Sequence, residues 1–315
     1  MVMNTISDKA KQFVAFTIKI LVVGLALWFI YKRLSESTWL DWEEFKATLA
    51  GKNLFIASFV LLALAFLNRF FEILKWKNLA NLLKPVSVLD SSRQVLSALV
   101  FSIFTPNGIG EYGAKALYFQ KKQAKNVVFL NFVCNGIQMI ITIFFGLVGL
   151  LLLGYFDWFF GALGGLLLLW ILVFVLKKIK IKGYSINSLI DEIHKIPKKI
   201  HRANTLLGIS RFVFFSLQQY YLFVFFGVEI SFLPMIATIM AVYLIASCLP
   251  NFQFFDFMVK GGVAVYFFSL IGVNQWVVMI VALLMWMLNV VLPVLIGAGF
   301  VLSHTTKPSI QKTMG

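Results

Sequence analysis

Charge is scarce in this chain, and negative charge scarcest: 13% of the residues are charged, with 13 Asp and Glu against 28 Lys and Arg. A soluble domain carries about twice that share of charged residues, so the deficit excludes one. Cysteine is nearly absent as well. Cys134 and Cys248 lie far apart in apolar stretches, which excludes a disulfide framework or a cysteine metal motif and leaves both as fillers of a core or a lipid-facing surface. Histidine is confined to His194, His201 and His304, each in a basic segment without clustered partners, which argues against metal ligation and general-base work. No glycine loop has the Walker spacing, so ATP is not the direct energy source. The chain is therefore expected not to be an enzyme and to need neither metal nor cofactor.

What the chain has is apolar length. It is 60% hydrophobic over 315 residues with a mean hydropathy of +0.89, the composition of an all-α polytopic membrane protein forming a single integral membrane domain, 1–315. Six segments carry the roughly 20 apolar residues a helix needs to cross a hydrocarbon core: 13–31, 54–74, 127–153, 158–176, 205–226 and 276–302. Residues 1–31 begin basic and turn apolar, as a signal peptide does. The stretch is long and no small-x-small cleavage site follows, so it is expected to remain as the first span. Two further apolar regions, 94–119 and 233–272, are broken in the middle by Pro-Asn. The first is too short to cross and reads as a re-entrant hairpin; the legs of the second leave a hairpin or two full spans open.

These segments repeat. Thr105-Pro106-Asn107-Gly108-Ile109-Gly110-Glu111-Tyr112-Gly113-Ala114-Lys115 and Leu249-Pro250-Asn251-Phe252-Gln253-Phe254-Phe255-Asp256-Phe257-Met258-Val259-Lys260 share Pro-Asn, a short apolar stretch, an acid, three residues and Lys. The flanking apolar segments follow the same offset of about 145 residues, as internal transporter repeats do. The expectation is repeat A over 13–153 with hairpin 94–119, and repeat B over 158–302 with hairpin 233–272. Three spans per copy, an odd number, invert the second copy. The two Pro-Asn tips then meet near the midplane, where irregular backbone requires protein or a water-filled cavity around it.

The surplus of 15 positive charges does not signal nucleic acid, because the basic residues fall in short loops between spans. Nineteen Lys and Arg fall in the segments assigned inside (1–12, 75–93, 120–126, 177–204 and 303–315) and four in 32–53 outside, which places both termini in the cytoplasm. Within 177–204, Ile186, Leu189, Ile190, Ile193 and Ile196 recur at helical spacing before Pro197. This amphipathic segment is expected to lie on the anionic inner leaflet, as an orientation signal or as a headgroup contact.

Charges inside apolar segments each cost about 2.5–3.5 kcal/mol on insertion scales and so ask for a role. Glu111 and Lys115, and again Asp256 and Lys260, stand at i, i+4 just past the hairpin tips. The acids can hold an ammonium group while the lysines and helix-start N–H groups hold a phosphate; equally, each pair can neutralise itself and pin its hairpin. Arg69, with Glu72 as its partner, and Arg211 read either as snorkelling side chains or as a pair holding a lipid phosphate. Gln218, Gln219, Tyr220 and Tyr221 line a cavity or bond between helices, and Lys19 snorkels. The candidate substrate-binding residues are thus Glu111, Lys115, Asp256, Lys260, Arg69, Arg211, Asn107 and Asn251, with Pro106, Gly108, Gly110 and Pro250 shaping the tips.

The phrase Thr-Pro-Asn-Gly-Ile-Gly-Glu at 105–111, followed by a short helix, resembles the Pro-Gly-Gly-x-Gly-x-x-Glu signature of the lysylphosphatidylglycerol synthase transmembrane region family. The Pro250-Asn251 element looks like its degenerate partner, and the resemblance covers roughly 13–302, including the arginine of the second span. It implies the flippase half of multiple peptide resistance factors, or a stand-alone flippase-like relative, in a bacterial inner (plasma) membrane. Because the chain ends at Gly315, about where a synthase part would follow, it implies translocation without synthesis. Asn107 replaces a glycine of the first motif, and Phe252, Gln253 and Phe254 replace glycines of the second, so the resemblance does not extend to lysyl-phosphatidylglycerol specificity.

The function expected is translocation of a phospholipid or aminoacylated lipid, its headgroup in the cavity and its acyl chains in the bilayer. Neutralising Glu111 or Asp256 is expected to abolish it without loss of folding. Two alternatives stay open: an ion-coupled carrier of a small anionic solute, and a non-transporting accessory subunit of a lipid- or glycan-modifying enzyme. Membrane phospholipids are the expected partners, with a second copy of the chain or a lipid-synthesising enzyme left open.

Overall fold

The computed structural model describes residues 50, 52–103, 105–177, 185–249 and 256–303, with backbone alone at 256 and 257. The expected first span 13–31, the tip residues Pro250 and Asn251, and the Asp256 side chain lie outside the described residues. Among those described, all regular structure is helical: α1 Leu54–Ala80, α2 Val88–Ser102, α3 Gly110–Ala116, a 3₁₀ turn Lys121–Gln123, α4 Ala124–Leu152, α5 Phe156–Leu176, α6 Ile186–Lys195, α7 Lys198–Phe225, α8 Phe232–Cys248, α9 Asp256–Ser269, α10 Gln275–Trp286, a π turn Met287–Val291 and α11 Leu292–Ser303.

Four stretches are long and apolar enough to cross a membrane: Leu54–Ala80, Lys121–Leu152, Phe156–Leu176 and Gln275–Ser303. The molecule is an α-helical membrane protein. The expected span 205–226 lies in α7 up to its capping residue Phe226, and α7 has the length but not the apolar composition. Arg211, Gln218 and Gln219 dilute it, and all three turn inward to polar partners.

Local chemistry sets the boundaries. Asn53 accepts the Ile56 N–H at the start of α1, and Ser87 accepts the Asp90 N–H at the start of α2, satisfying two amides that the helix itself leaves free. The Ser87 cap makes α2 begin six residues before the expected hairpin 94–119. Ser185 and Ser188 cap α6 reciprocally, and Pro197, which cannot continue that helix, precedes α7. The second broken region becomes α8 and α9, of 17 and 14 residues. At 1.5 Å per residue these rise about 26 and 21 Å, short of a hydrocarbon core of about 30 Å.

α1 lies along α7, α4 along α8, and α11 along α2. The last two contacts are closed by glycine. A β-carbon on Gly149 would stand 2.5 Å from the Ala237 carbonyl oxygen, and one on Gly297 2.1 Å from that of Leu96, so only glycine permits these approaches. α5 buries none of its residues, and α6 packs Ile193 and the following Ile196 beside Trp76, Leu79 and Val127 while leaving Leu189 and Ile190 exposed.

Candidate functional site

A cavity of about 480 Å³ opens among these helices, and many of the side chains on its walls are polar or charged. α1 contributes Asn68, Arg69 and Glu72. The first hairpin contributes Asn107 and Glu111, α4 contributes Asn135 and Gln138, and α7 contributes Arg211 and Gln219. Tyr243 of α8, Lys260 of α9 and Asn289 of the π turn complete the ring.

The arginines are held by one chain of hydrogen bonds. Arg211 Nε donates to Asn68 Oδ1 at 3.2 Å, Asn68 Nδ2 to Asn289 Oδ1 at 2.7 Å, and Asn289 Nδ2 to Gln218 Oε1 at 2.9 Å. Arg69 Nη2 donates to the Asn289 carbonyl oxygen at 2.6 Å. That carbonyl is available for a reason of sequence. Four residues on stands Pro293, which has no N–H to return, and the helix widens there into the π turn. A guanidinium supplies the missing donor. Arg211 Nη1 also meets Glu72 Oε2 at 3.0 Å, and Lys75 Nζ reaches the same oxygen at 3.2 Å while donating to Gln138 Oε1 at 3.1 Å.

The first hairpin tip is built for tightness. The Thr105 hydroxyl donates to the Ser102 carbonyl at 3.0 Å and accepts the Gly110 N–H at 2.8 Å, tying the end of α2 to the start of α3. Asn107 and Gly108 turn the chain between them in the left-handed region, at φ 49° and 69°. Glycine enters that region freely, and asparagine more readily than other side chains, so Asn107 sustains the turn despite replacing a glycine. A β-carbon at Gly110 would lie 2.4 Å from the Phe101 carbonyl oxygen, which fixes that position as glycine too.

Past the tip, Lys115 Nζ meets Glu111 Oε1 at 2.5 Å and Asn131 Oδ1 at 2.7 Å, and stands 4.4 Å from the centre of the Trp76 ring. The Lys115 side chain is wholly buried, whereas Glu111 faces the cavity. Lys115 is therefore a support behind the wall. A buried ammonium is tolerable only when so enclosed, and removing its one acid partner would leave an uncompensated charge.

Of the expected site residues, Glu111, Asn107, Arg69, Arg211 and Lys260 line this one cavity, and Lys115 backs it. Pro106, Gly108 and Gly110 form the tip; Asn251, Pro250 and the Asp256 side chain lie outside the described residues. The Arg69–Glu72 pair is corrected. Glu72 bonds Lys75 and Arg211, while Arg69 bonds the Asn289 carbonyl, and Glu72 is buried too deeply to snorkel. Lys75 was counted with an inner loop, but α1 runs six residues beyond the expected span, and Lys75 is wholly buried in it. Gln219 lines the cavity and accepts from the Tyr243 hydroxyl, Gln218 bonds between helices, and Tyr220 packs edge-on against Phe232. Cys134 is a core residue whose thiol faces Glu72 Oε1 at 3.7 Å. Asn68, Asn135, Gln138, Tyr243 and Asn289 are site residues that sequence reasoning did not select. Asn289, a lone amide in an apolar span, carried the clearest signal.

No protein-family model, curated protein or solved structure matches this chain.

Proposed function

We propose that this protein moves an amphipathic lipid between the leaflets of a membrane, with the headgroup held in the central cavity while the acyl chains remain in the bilayer. One observation carries the reading: a cavity lined by Arg69, Arg211, Glu111 and Asn107 lies at the centre of a protein whose outer helices are apolar. Charged groups at that position are costly and mark a substrate path. A second helix-breaking hairpin, α8 and α9, borders the same cavity through Tyr243 and Lys260, which is how discontinuous helices serve transport sites.

The helix pairing supports two inverted repeats. α4 lies on α8 as α11 lies on α2, each contact closed by a glycine, Gly149 or Gly297, against a main-chain carbonyl of the facing hairpin. On this reading α1 and α7 are counterparts that pack on each other, and each hairpin is clasped by the last helix of the opposite repeat. The resemblance to the lysylphosphatidylglycerol synthase transmembrane region is compatible with this arrangement and with a cytoplasmic-membrane location, both termini inside.

Leaflet exchange in proteoliposomes tests the proposal. Fluorescent phospholipids of several headgroups are quenched chemically from outside, with and without protein. Exchange accelerated by wild type and reduced to the protein-free rate by substitution at Arg69 or Arg211 supports translocation. Absence of exchange for every headgroup sinks it and favours the ion-coupled solute carrier or the accessory subunit.

A further inference from the structure

Building on the translocation reading, we infer that the cavity selects a net-anionic phosphate ester, clamped between Arg69 and Arg211, because every described carboxylate at the cavity already has its charge balanced by a cation. The charge balance argues for this. At the cavity and directly behind it stand four cations, Arg69, Lys75, Lys115 and Arg211, and two acids, Glu72 and Glu111. The surplus is two positive charges even with Lys260 set against Asp256, which stands four residues before it in sequence.

Both acids are engaged. Glu111 is bound by Lys115, and one oxygen of Glu72 is shared by Lys75 and Arg211. A headgroup ammonium entering the cavity would therefore meet carboxylates whose charge Lys115, Lys75 and Arg211 already balance. The guanidinium of Arg69 is in the opposite condition. No described carboxylate lies within ion-pair distance of it; its one hydrogen-bond acceptor is the Asn289 carbonyl, and its buried Nε–H has no partner. Arg211 keeps about a quarter of its side chain open to the same cavity.

Two guanidiniums held side by side through Asn68 and Asn289, one without an acid and with an unpaired N–H, are preorganised for the oxygens of a phosphate, whose geometry a guanidinium fork matches. The ester can belong to a lipid headgroup or to a soluble molecule. Asn289 is a positioning residue, because it holds Arg69 by its main chain and Arg211 through Asn68.

The test is equilibrium binding to the purified full chain in neutral detergent at constant ionic strength. The probes are dihexanoyl phosphatidylglycerol, dihexanoyl phosphatidylcholine, glycerol 3-phosphate and inorganic phosphate. The expected result is that phosphatidylglycerol binds about tenfold or more tighter than phosphatidylcholine, the scale of one charge-assisted contact. Inorganic phosphate should compete, Arg69→Gln and Arg211→Gln should each weaken binding about tenfold, and Arg69→Lys should keep part of it. The wild-type headgroup comparison stands alone where a variant does not fold. Equal affinity for the two lipids with no competition by phosphate overturns the anion clamp and leaves the exchange assay to decide translocation. Arginine-dependent binding of phosphate and glycerol 3-phosphate, with no gain from acyl chains, upholds the clamp, makes the source soluble and overturns the lipid reading alone.

Discussion

Lys115 and Glu111 form a pair in which one partner is wholly enclosed and the other meets the cavity. This changes what neutralisation does. Glu111→Gln strips the buried ammonium of its counter-charge, leaving neutral acceptors and the Trp76 face, and should cost about 3–5 kcal/mol of stability, the usual loss when one partner of a buried pair is removed. Glu111→Gln with Lys115→Met should recover much of that loss, measured as a double-mutant cycle by thermal unfolding in detergent. Loss of transport in Glu111→Gln alone therefore does not separate function from folding; the double variant does. Asn289→Leu is expected to cost about 1–3 kcal/mol, because it strands the polar groups of Asn68 and Gln218, and to weaken anion binding as Arg211 loses the support it receives through Asn68, while the main-chain carbonyl that holds Arg69 stays. The pair at 111 and 115 is legible in the sequence, since i, i+4 spacing is a local rule. The partners of Arg69 and Glu72 are not. Asn289 lies 220 residues from Arg69, and the choice between Lys75, Arg211 and Arg69 as partner of Glu72 depends on how α1 and α7 face each other.

Among the elements, the glycines at the two clasps carry the sharpest expectation. Gly149→Val or Gly297→Val must move main chain rather than a flexible side chain, and each should cost about 1–3 kcal/mol, read as a lower unfolding midpoint in detergent. The same change at Gly164 or Gly165 of α5, where a β-carbon meets nothing, should leave the midpoint within about 0.5 kcal/mol of wild type. Hydrophobic length in the sequence located α1, α4, α5 and α10 through α11, and the Pro-Asn breaks marked where α2 gives way to α3 and α8 to α9. The boundaries were less legible. α2 begins at its Ser87 cap rather than where its apolar run begins, and α1 continues through Lys75 because its acid and amide partners come from its own turn and from α4. The π turn ahead of Pro293 had a sequence signal in the proline, but the carbonyl that proline leaves for Arg69 is visible only in three dimensions.

At the scale of the whole molecule, the inverted-repeat reading fixes a topology that can be measured. Single cysteines at Glu192 and Glu229, in a background with Cys134 and Cys248 replaced, can be labelled with a membrane-impermeant maleimide on intact cells. Glu229→Cys should react from outside and Glu192→Cys only after permeabilisation; the reverse pattern rejects the basic-loop assignment of 177–204 to the cytoplasm. Composition made the helical membrane class legible, since a chain this apolar has few other ways to satisfy its backbone. The convergence of α1, α7, the π turn, α2 with α3, and α8 with α9 on one cavity was legible only as a requirement that some polar space exist.

Trp76 closes the wall behind Glu111. Its ring is fully enclosed, its indole N–H is fixed on Gln94 Oε1 at 2.6 Å, and an ammonium rests on its face. The consequence is optical. An indole so held emits at short wavelength, with an intensity set by the cation above it, so the difference spectrum between wild type and Trp76→Phe is a label-free gauge of whether Lys115 stays seated while the protein works.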